Sequence, residues 1–232
     1  MSGFTHLTEV GSTNDWLLAR AQTLADGHWV IADRQTAGRG RRGRVWNDGT
    51  GNFMGSVLVR ALGQVQQLSF VAALALHDAL AALTGQPTRF ALKWPNDVLL
   101  DGIKCSGILL ERQGDALVIG MGVNLAHYPQ ETERPATSLA AAGLAMPTPV
   151  ALLEALAAAF DQRRGVWQAH GFAPIRAAWL DRASGVGGRM VARLGSDSPE
   201  GVFTGLADDG ALQMRLDDGT TRAIHAGEVF AI

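Results

Sequence analysis

The 232 residues of this chain include 20 Lys and Arg and 22 Asp and Glu, for a formal net charge of -2, and 47% of the residues are hydrophobic. This balance is typical of a globular protein of one or two domains and excludes a disordered or collagen-like chain. The single cysteine excludes an internal disulfide framework, and six histidines without HxxxH spacing indicate no structural metal site.

The N-terminus lacks the pattern of a targeting signal. MSGFTHLTEVGSTND contains no basic segment followed by an apolar one. No apolar run of the chain approaches the ~18 residues that span a bilayer. We therefore expect a soluble protein of the cytoplasm that makes no contact with a membrane.

The first part of the chain predicts strands and helices in alternation. Residues 2–10 predict a strand, and Ser12 then begins an S-x-x-D capping pattern with Asp15. This pattern predicts a helix that runs to about Ala25 and stops before Gly27. Two strands and then a strongly apolar helix follow, at residues 28–35, 52–60 and 66–83.

The middle of the chain predicts a meander of strands and then two helices. Residues 90–125 hold three strand-like runs, with turns at Asp101-Gly102 and at Gly114-Asp115. Tight connections of this kind imply antiparallel pairing. Residues 148–182 predict two helices that are separated around Gly171.

The tail of the chain predicts a second, smaller unit. From residue 188 onward, four or five short strands alternate with Gly/Asp turns, which is typical of a small β-barrel. We place the boundary inside ASGVGG, so that residues 1–184 form one domain and residues 185–232 the other. The fold class is α+β, with a mixed, largely antiparallel sheet in the first domain.

The basic residues are unevenly divided between the two types. Eighteen of the twenty are arginine, and the two lysines, Lys93 and Lys104, lie close together in the sequence. Compositional bias explains this scarcity as well as function does. The functional interpretation is that both positions need a compact point charge rather than the planar fork of arginine.

Residues 36–46, TAGRGRRGRVW, are here called the arginine loop because they hold four arginines among three glycines. Gly38, Gly40 and Gly43 match G-x-G-x-x-G, but no helix pattern begins there and no acidic residue follows about twenty positions later, so a dinucleotide fingerprint is excluded. The balanced charge disfavours a nucleic-acid patch. Two interpretations remain: a solvated basic loop, or a loop that folds over an anionic ligand.

Several segments, in this order and spacing, resemble the motifs of the biotin–protein ligases. They are STN at 12–14, Gln35, GRGRRGRVW at 38–46, KWPNDV at 93–98, GIKCSGILLE at 102–111 and GMGVNL at 120–125. The tail resembles the small SH3-like C-terminal domain of that family, so the resemblance covers essentially the whole chain. It implies a catalytic domain of the class II synthetase and biotin ligase type.

The resemblance implies an ATP-dependent enzyme that converts biotin to biotinyl-5'-AMP and transfers biotin to a lysine of a biotin carboxyl carrier protein. ATP, Mg²⁺ and biotin are the implied cofactor and substrates, and the protein would be a monomer or homodimer. Some members carry an N-terminal helix-turn-helix; nothing precedes the catalytic domain here, so we expect no repressor activity and no nucleic-acid partner. A lipoate-type ligase and a non-catalytic anion-binding module remain as alternatives.

The resemblance also implies roles for individual residues. Arg39, Arg41 and Lys104 would be catalytic, and Asp97 would be a magnesium ligand. The implied biotin-binding residues are Ser12, Thr13, Asn14, Gln35, Gly38, Arg39, Gly40, Arg41, Lys104 and Gly107. The implied nucleotide-binding residues are Arg42, Arg44, Trp46, Lys93, Asn96, Asp97 and Asn124.

Simpler roles stay open for some of these residues. Ser12 has the position of a helix N-cap, and Trp46 could be an apolar anchor for the arginine loop. Gly107, Gly120 and Gly122 would allow the strand backbone to approach a ligand closely. Cys105 is expected to be a small packed side chain, because no histidine lies near it in the sequence.

Overall fold

A computed structural model describes residues 3–46, 50–60, 63–130, 135–195 and 197–232. These residues form a seven-stranded sheet, a separate five-stranded sheet and four α-helices. The predicted α+β class, with a mixed and largely antiparallel main sheet, is confirmed. The candidate site lies on one face of the larger sheet.

The larger sheet contains the strands of residues 4–123. They are β1 (Phe4–Val10), β2 (Trp29–Gln35), β3 (Phe53–Arg60), β4 (Phe90–Lys93), β5 (Asp97–Leu100), β6 (Ile103–Gln113) and β7 (Ala116–Val123). Their order is β1-β2-β3-β7-β6-β5-β4, and only the β1–β2 pair among them is parallel. The registers bring the C-terminal ends of β2 and β7 and the N-terminal ends of β3 and β6 to the same edge of the sheet.

The helices lie on the two faces of this sheet. They are α1 (Thr13–Leu18), α2 (Leu68–Thr84), α3 (Pro149–His170) and α4 (Phe172–Leu180). The last three share one hydrophobic core with the sheet, whereas α1 packs on the opposite face through Leu17 against Val30 and Val118. Because α1 is short, much of that second face is left for a cavity.

Helix α2 is apolar on nearly all sides because it is a core helix. By length and composition, the segment Val65–Thr84 is long and apolar enough to cross a membrane. The prediction that no apolar run approaches ~18 residues is therefore wrong. In the folded protein 67% of this apolar stretch is buried, so packing against the protein core accounts for its composition. The helix ends at Thr84, one residue beyond the predicted range, and Gly85, whose φ of 66° is left-handed, closes it.

Helix α1 is shorter than predicted. The pattern predicted a helix to about Ala25, but α1 ends at Leu18 and the chain continues in turns. The Arg60 guanidinium accounts for part of this difference, since it donates to the carbonyl oxygen of Ala21, which a helix to Ala25 would use internally, and also to that of Leu24.

Residues 90–125 form four strands rather than the predicted three. Pro95 separates β4 from β5, because proline has no N–H to donate to a sheet ladder. The two predicted turns are confirmed, and Asp101, Gly102 and Gly114 all have positive φ there.

The smaller sheet holds β8 (Arg189–Arg193), β9 (Glu200–Leu206), β10 (Leu212–Arg215), β11 (Thr221–Ile224) and β12 (Glu228–Ala231). The strands are antiparallel in the order β11-β10-β9-β8-β12, in agreement with the small SH3-like unit expected for the tail. Gly210, in the turn before β10, accepts a hydrogen bond from Trp94 Nε1 at 3.2 Å. The small sheet is therefore packed directly against the turn between β4 and β5.

Candidate active site

A cavity of about 330 Å³ opens beside α1. All the predicted site residues except Gly38 and Lys93 line it. Five basic side chains and two carboxylates contribute to the lining: Arg39, Arg41, Arg42, Arg44, Lys104, Asp97 and Glu228. This volume falls in the range of small-molecule sites, and the excess of basic groups favours an anionic ligand.

One end of the cavity is neutral and polar. Ser12 is the N-cap of α1, where its hydroxyl accepts from the Asp15 amide at 3.4 Å, and it also lines the cavity. The Gln35 side-chain oxygen accepts from the Thr13 amide at 2.7 Å and from the Thr13 hydroxyl at 3.0 Å. These bonds fix the orientation of the Gln35 amide, so its Nε2 donor is held in a defined direction.

A chain of hydrogen bonds continues from this polar end across the sheet. Ser56 Oγ lies 2.7 Å from Thr13 Oγ1 and 2.6 Å from Asn14 Oδ1. Asn14 Nδ2 donates to Glu111 Oε2 at 2.7 Å. Because Ser56 and Asn14 are buried, these bonds are shielded from water and hold the side chains in one arrangement.

The Arg39 guanidinium lies between two carboxylates. Its Nη1 and Nη2 donate to the Asp15 carboxylate at 2.7 and 2.6 Å. Its Nε and Nη2 donate to Glu111 at 3.0 and 2.9 Å. The hydrogen bond from Arg39 holds the pKa of Asp15 below its ordinary value, and the same contacts raise the pKa of Arg39. In this structure the Arg39 side chain lines the cavity and binds two protein carboxylates, so its expected role toward a ligand stays a prediction.

The arginine loop folds back on itself. Gly40 N donates to Arg44 O at 2.7 Å, and Trp46 N donates to Gly38 O at 3.0 Å. The tip is a single tight turn in which Arg42 and Gly43 both have positive φ, 58° and 71°. A left-handed arginine is unusual, so the turn is held by the contacts of its neighbours.

Arg41 points from the tip into the cavity. Its Nη1 donates to Asn96 Oδ1 at 3.1 Å, and burial followed by the charge of Arg42 lowers its pKa from the ordinary value. Asn96 is itself fixed to β6, because its Nδ2 donates to Ile108 O at 2.6 Å and its carbonyl accepts from Ile108 N. The structure therefore brings Arg41 and Asn96 together as an ordered pair.

Lys104 and Asp97 form an ion pair at the cationic end of the cavity. Lys104 Nζ lies 2.6 Å from Asp97 Oδ1, at angles outside those of a hydrogen bond. The Asp97 side chain is only 12% exposed and the Lys104 side chain 34%. Among the described residues, no group of three or more His, Cys, Asp or Glu could hold a metal. A metal here would need ligands from a substrate as well as from Asp97.

Trp46 covers a glycine surface on β6 and β7. A Cβ added at Gly122 would lie 2.6 Å from Trp46 Nε1, and one at Gly107 would lie 3.3 Å from Trp46 Cζ3. A Cβ at Gly120 would overlap Asn14 Oδ1. The absence of a Cβ at these glycines therefore allows other groups to contact the strand backbone closely, and in this structure those groups are the side chains of Trp46 and Asn14. Within the described ranges, Trp46 Nε1 is buried without a hydrogen-bond partner, which is costly for a donor.

The profile of the biotin/lipoate A/B protein ligase family matches residues 6–124, and that of the biotin protein ligase C terminal domain matches residues 187–231. A protein of Paracoccus denitrificans named biotin--[acetyl-CoA-carboxylase] ligase is 44% identical over 238 residues, which cover 97% of this chain and 98% of that protein. The chain belongs to the biotin/lipoate A/B protein ligase family.

Two further comparisons concern a longer protein and a solved structure with bound ligands. The bifunctional ligase/repressor BirA of Bacillus spizizenii is 34% identical over 215 residues, covering 87% of this chain and 65% of that protein. The structure of biotin protein ligase from Aquifex aeolicus in complex with biotin and ATP has a TM-score of 0.89 at 27% identity and covers 100% of both chains.

Two of the nucleotide-binding residues expected for this ligase-family chain have other contacts. Lys93 lies outside the cavity lining, with Nζ 5.7 Å from the centroid of the Phe230 ring on β12. Asn124 lines the cavity, but its Nδ2 donates to Thr137 O at 3.0 Å. Cys105 is buried, and burial raises the pKa of its thiol to about 12, in keeping with a packed side chain.

Sequence reasoning missed four residues that order this site: Asp15, Ser56, Glu111 and Glu228. Glu111 stands at the end of the GIKCSGILLE segment, which marked its strand but gave no sign of its partner. Ser56 follows a glycine inside an otherwise apolar strand, and its polarity was the available signal. Asp15 was assigned only to a helix cap, and Glu228 lies in the tail, 184 residues after Arg44 in the sequence.

Proposed function

We propose that this member of the family is an ATP-dependent biotin–protein ligase. It converts biotin and ATP to biotinyl-5'-AMP and pyrophosphate, and it transfers the biotinyl group to a lysine of a biotin carboxyl carrier protein. One observation carries the proposal: a single cavity joins the fixed polar pair of Thr13 and Gln35 to the cationic groups of Arg41 and Lys104. The names of the relatives from Paracoccus and Aquifex support the same substrates.

The polar end of the cavity suits the ureido ring of biotin. A ureido group offers both N–H donors and a carbonyl acceptor, and Ser12, Thr13 and Gln35 supply complementary groups at fixed positions. Between the polar and cationic ends, Gly55, Ile108 and Met121 present apolar surface for the sulfur ring and the aliphatic chain. In this proposal the biotin carboxylate faces Lys104.

The cationic end supports the adenylation step. A carboxylate oxygen of biotin attacks the α-phosphorus of ATP, the bond to the bridging oxygen breaks, and pyrophosphate leaves. Both reactants are anions, so their approach needs fixed positive charge in a site with little water. Arg41 and Lys104 provide that charge, and Arg42 adds to it from the loop tip. Lys104 would share its ammonium between Asp97 and the ligand.

Magnesium enters the proposal together with ATP. When bound, it neutralises phosphate oxygens, and it commonly takes one or two protein carboxylates with the rest of its ligands from phosphate and water. Asp97 would fit this role because its largely buried carboxylate lines the cavity. Asp97 would hold the metal through its carboxylate, beside the ammonium of Lys104 with which it forms an ion pair.

The arginine loop would close over the intermediate. In the structure Trp46 lies on the surface of Gly107 and Gly122, and an adenine ring could stack against the same tryptophan. Closure of Arg42 and Arg44 around the adenylate would keep water from the mixed anhydride. Asn96 and Asn124 remain candidate nucleotide contacts at the cavity wall.

The transfer step uses the same cavity. The amine of the carrier lysine attacks the acyl carbon of biotinyl-5'-AMP, an amide forms, and AMP leaves. We propose that residues 1–184 form the domain that holds both substrates and that residues 185–232 form the SH3-like domain. A cytoplasmic location and a monomeric or homodimeric state belong to the same proposal; β1 and β4 are the outer strands of the sheet.

Pyrophosphate exchange into ATP tests this function. The purified protein is incubated with ATP, Mg²⁺ and labelled pyrophosphate, in parallel with biotin, with lipoate and without any acid. We expect label in ATP only with biotin. Exchange with lipoate alone would make the protein a lipoate-type ligase, and exchange with neither acid would leave only a binding module. Omitting Mg²⁺ should abolish the biotin-dependent exchange.

A further inference from the structure

Two carboxylates from different elements bind one guanidinium at the start of the arginine loop. Asp15 comes from α1 and Glu111 from β6, and together they occupy four of the five N–H groups of Arg39. The Arg39 side chain is 31% exposed and Glu111 is 26% exposed, so their contact is partly shielded from solvent, whereas Asp15 is 56% exposed. Paired, charge-assisted hydrogen bonds of this kind are stronger and more directional than neutral ones.

Their arrangement argues against anion binding by Arg39. A guanidinium that neutralises a ligand needs free donors facing that ligand, whereas a single N–H of Arg39 is left. Among the residues that the structure describes, the hydrogen-bond acceptor of Arg41, two residues later, is the neutral amide oxygen of Asn96. The first arginine of the loop thus contacts protein carboxylates, while Arg41 keeps donors for a ligand.

We propose that Asp15 and Glu111 are positioning residues of the ligase reaction, which clamp Arg39 and thereby fix the first end of the arginine loop. The inference rests on the proposed function and deepens it. With Arg39 fixed, the short antiparallel contact between Arg39 and Val45 sets the path of the loop, and Arg41 then meets Asn96. Without the clamp, the same glycine-rich segment would no longer hold one position over the cavity.

Glu111 also connects the clamp to the polar end of the cavity. Its second oxygen accepts from Asn14, whose own oxygen accepts from Ser56, which in turn contacts Thr13. One chain of hydrogen bonds therefore connects the polar residues proposed for the ureido ring to the first end of the arginine loop. Loss of the Glu111 charge should weaken both ligand binding at the polar end and closure of the loop.

Isosteric variants test the clamp because they remove charge and keep shape. Asp15→Asn and Glu111→Gln are compared with the parent, with Arg39→Lys, which keeps the charge without the fork, and with Glu9→Gln. Glu9 is a matched control, since it also pairs with an arginine, Arg34, at 3.0 Å but lies outside the cavity lining. Circular dichroism confirms that each variant is folded.

Two readouts are measured on each protein. Trypsin cleaves after the arginines of the loop, and its rate reports the open population when opening is fast. We expect cleavage between residues 39 and 45 to be about tenfold faster in Glu111→Gln, which loses a partly shielded charge-assisted bond, and about two- to fivefold faster in Asp15→Asn, whose carboxylate is more exposed. In biotin-dependent pyrophosphate exchange, we expect KM for biotin to rise about tenfold with kcat within about twofold of the parent, because the lost contacts act on binding.

The outcomes separate this inference from the function itself. Cleavage rates and KM values equal to those of Glu9→Gln in both variants, or full protection in Arg39→Lys, overturn the clamp. A fall in kcat at unchanged KM also overturns it, because that result makes the carboxylates catalytic. If the parent shows no exchange with biotin, the proposed function fails, yet the trypsin comparison still decides whether Asp15 and Glu111 order the loop. If one isosteric variant does not fold, the other and Arg39→Lys decide.

Discussion

The guanidinium of Arg44 lies 2.6 Å from the carboxylate of Glu228, which joins the arginine loop to β12 of the small sheet. Arg42 Nη1 lies 3.9 Å from the same oxygen. The Glu228 side chain is 17% exposed, and both Glu228 and Val229 line the cavity. The second end of the loop is therefore held by the C-terminal part of the chain, whereas Asp15 and Glu111 hold the first.

Removal of the Glu228 charge should speed the release of the reaction intermediate. In Glu228→Gln the second end of the arginine loop loses its ion pair, and a half-exposed pair is worth up to about 1 kcal/mol, so we expect release of biotinyl-5'-AMP to rise about two- to fivefold. The released adenylate is trapped with an added amine. The difference should shrink at high salt. A release rate equal to that of the exposed control Glu200→Gln would show that Glu228 does not hold the loop.

The local parts of the fold were predictable because their signals lie within a few residues. Ser12 caps α1 as its S-x-x-D pattern indicated, and Gly85 ends α2. The turn residues Asp101-Gly102 and Gly114 were read correctly as well. The length of α1 was wrong, because the Arg60 guanidinium, far along the chain, takes carbonyl oxygens of the extra turns.

The site was predictable in composition and not in its internal pairing. The motifs indicated most residues that line the cavity, including Gln35, Trp46 and Lys104. They did not indicate that Arg39 would bind Glu111, which lies 72 residues away in the sequence. Such a pair depends on the register of β6 against its neighbours and on the fold of the loop. Neither feature can be predicted from a local sequence pattern.

Gly122→Ala should impair nucleotide binding more than biotin binding. The new Cβ would lie 2.6 Å from Trp46 Nε1, on a strand whose backbone cannot move away, so the tryptophan must leave its position. Overpacking of this kind costs about 1–3 kcal/mol, which predicts a rise of roughly tenfold or more in KM for ATP. Pyrophosphate exchange at varied ATP and biotin measures both constants.

The control for that variant is another glycine-to-alanine change. Gly165 lies inside α3, and outside the helix's own neighbouring backbone no atom of the described residues is within 4 Å of an added Cβ there. Gly165→Ala should therefore leave both KM values unchanged and raise stability by about 0.5–1 kcal/mol, because alanine favours helix. Parent-like KM for ATP in folded Gly122→Ala would show that Trp46 does not need the glycine surface.

The stability of the protein should fall in alkali through Cys105. Burial raises the pKa of its thiol from 9.0 to about 12, so the folded state keeps a proton that the unfolded state loses above about pH 9. The contribution is complete below pH 9 and is lost as the pH rises from 9 toward 12, by roughly 1.4 kcal/mol at pH 10.

Chemical denaturation at pH 7 and pH 10 checks the contribution of Cys105. The free energy of unfolding of the parent should fall more than that of Cys105→Ala over this interval. The native thiol should also resist alkylation at pH 8 and react once the protein is unfolded. Equal pH dependence in both proteins, or rapid alkylation of the native protein, contradicts the buried, protonated thiol.

Lys104 links the stability of the cavity to its proposed chemistry. Its ammonium lies 2.6 Å from Asp97, whose side chain is largely buried. In the free protein the positive charge of Lys104 therefore neutralises the negative charge of Asp97. Truncation of the lysine leaves a buried carboxylate without its ion-pair partner, at a cost of about 1–3 kcal/mol in the free energy of unfolding. The same truncation removes positive charge from the point where the biotin carboxylate and the α-phosphate would meet.

Lys104→Ala should therefore lower both stability and the rate of adenylation, and a second change separates the two effects. Loss of one preorganised charge-stabilising group predicts an adenylation rate lower by about 10²–10³-fold. Lys104→Arg should not restore it, because a planar fork does not replace a compact cation. In Lys104→Ala/Asp97→Asn the buried negative charge is gone, so thermal unfolding should return toward the parent while single-turnover formation of biotinyl-5'-AMP stays slow. A near-parent rate in folded Lys104→Ala would remove this lysine from the mechanism and leave Arg41 and Arg42 to stabilise the phosphate.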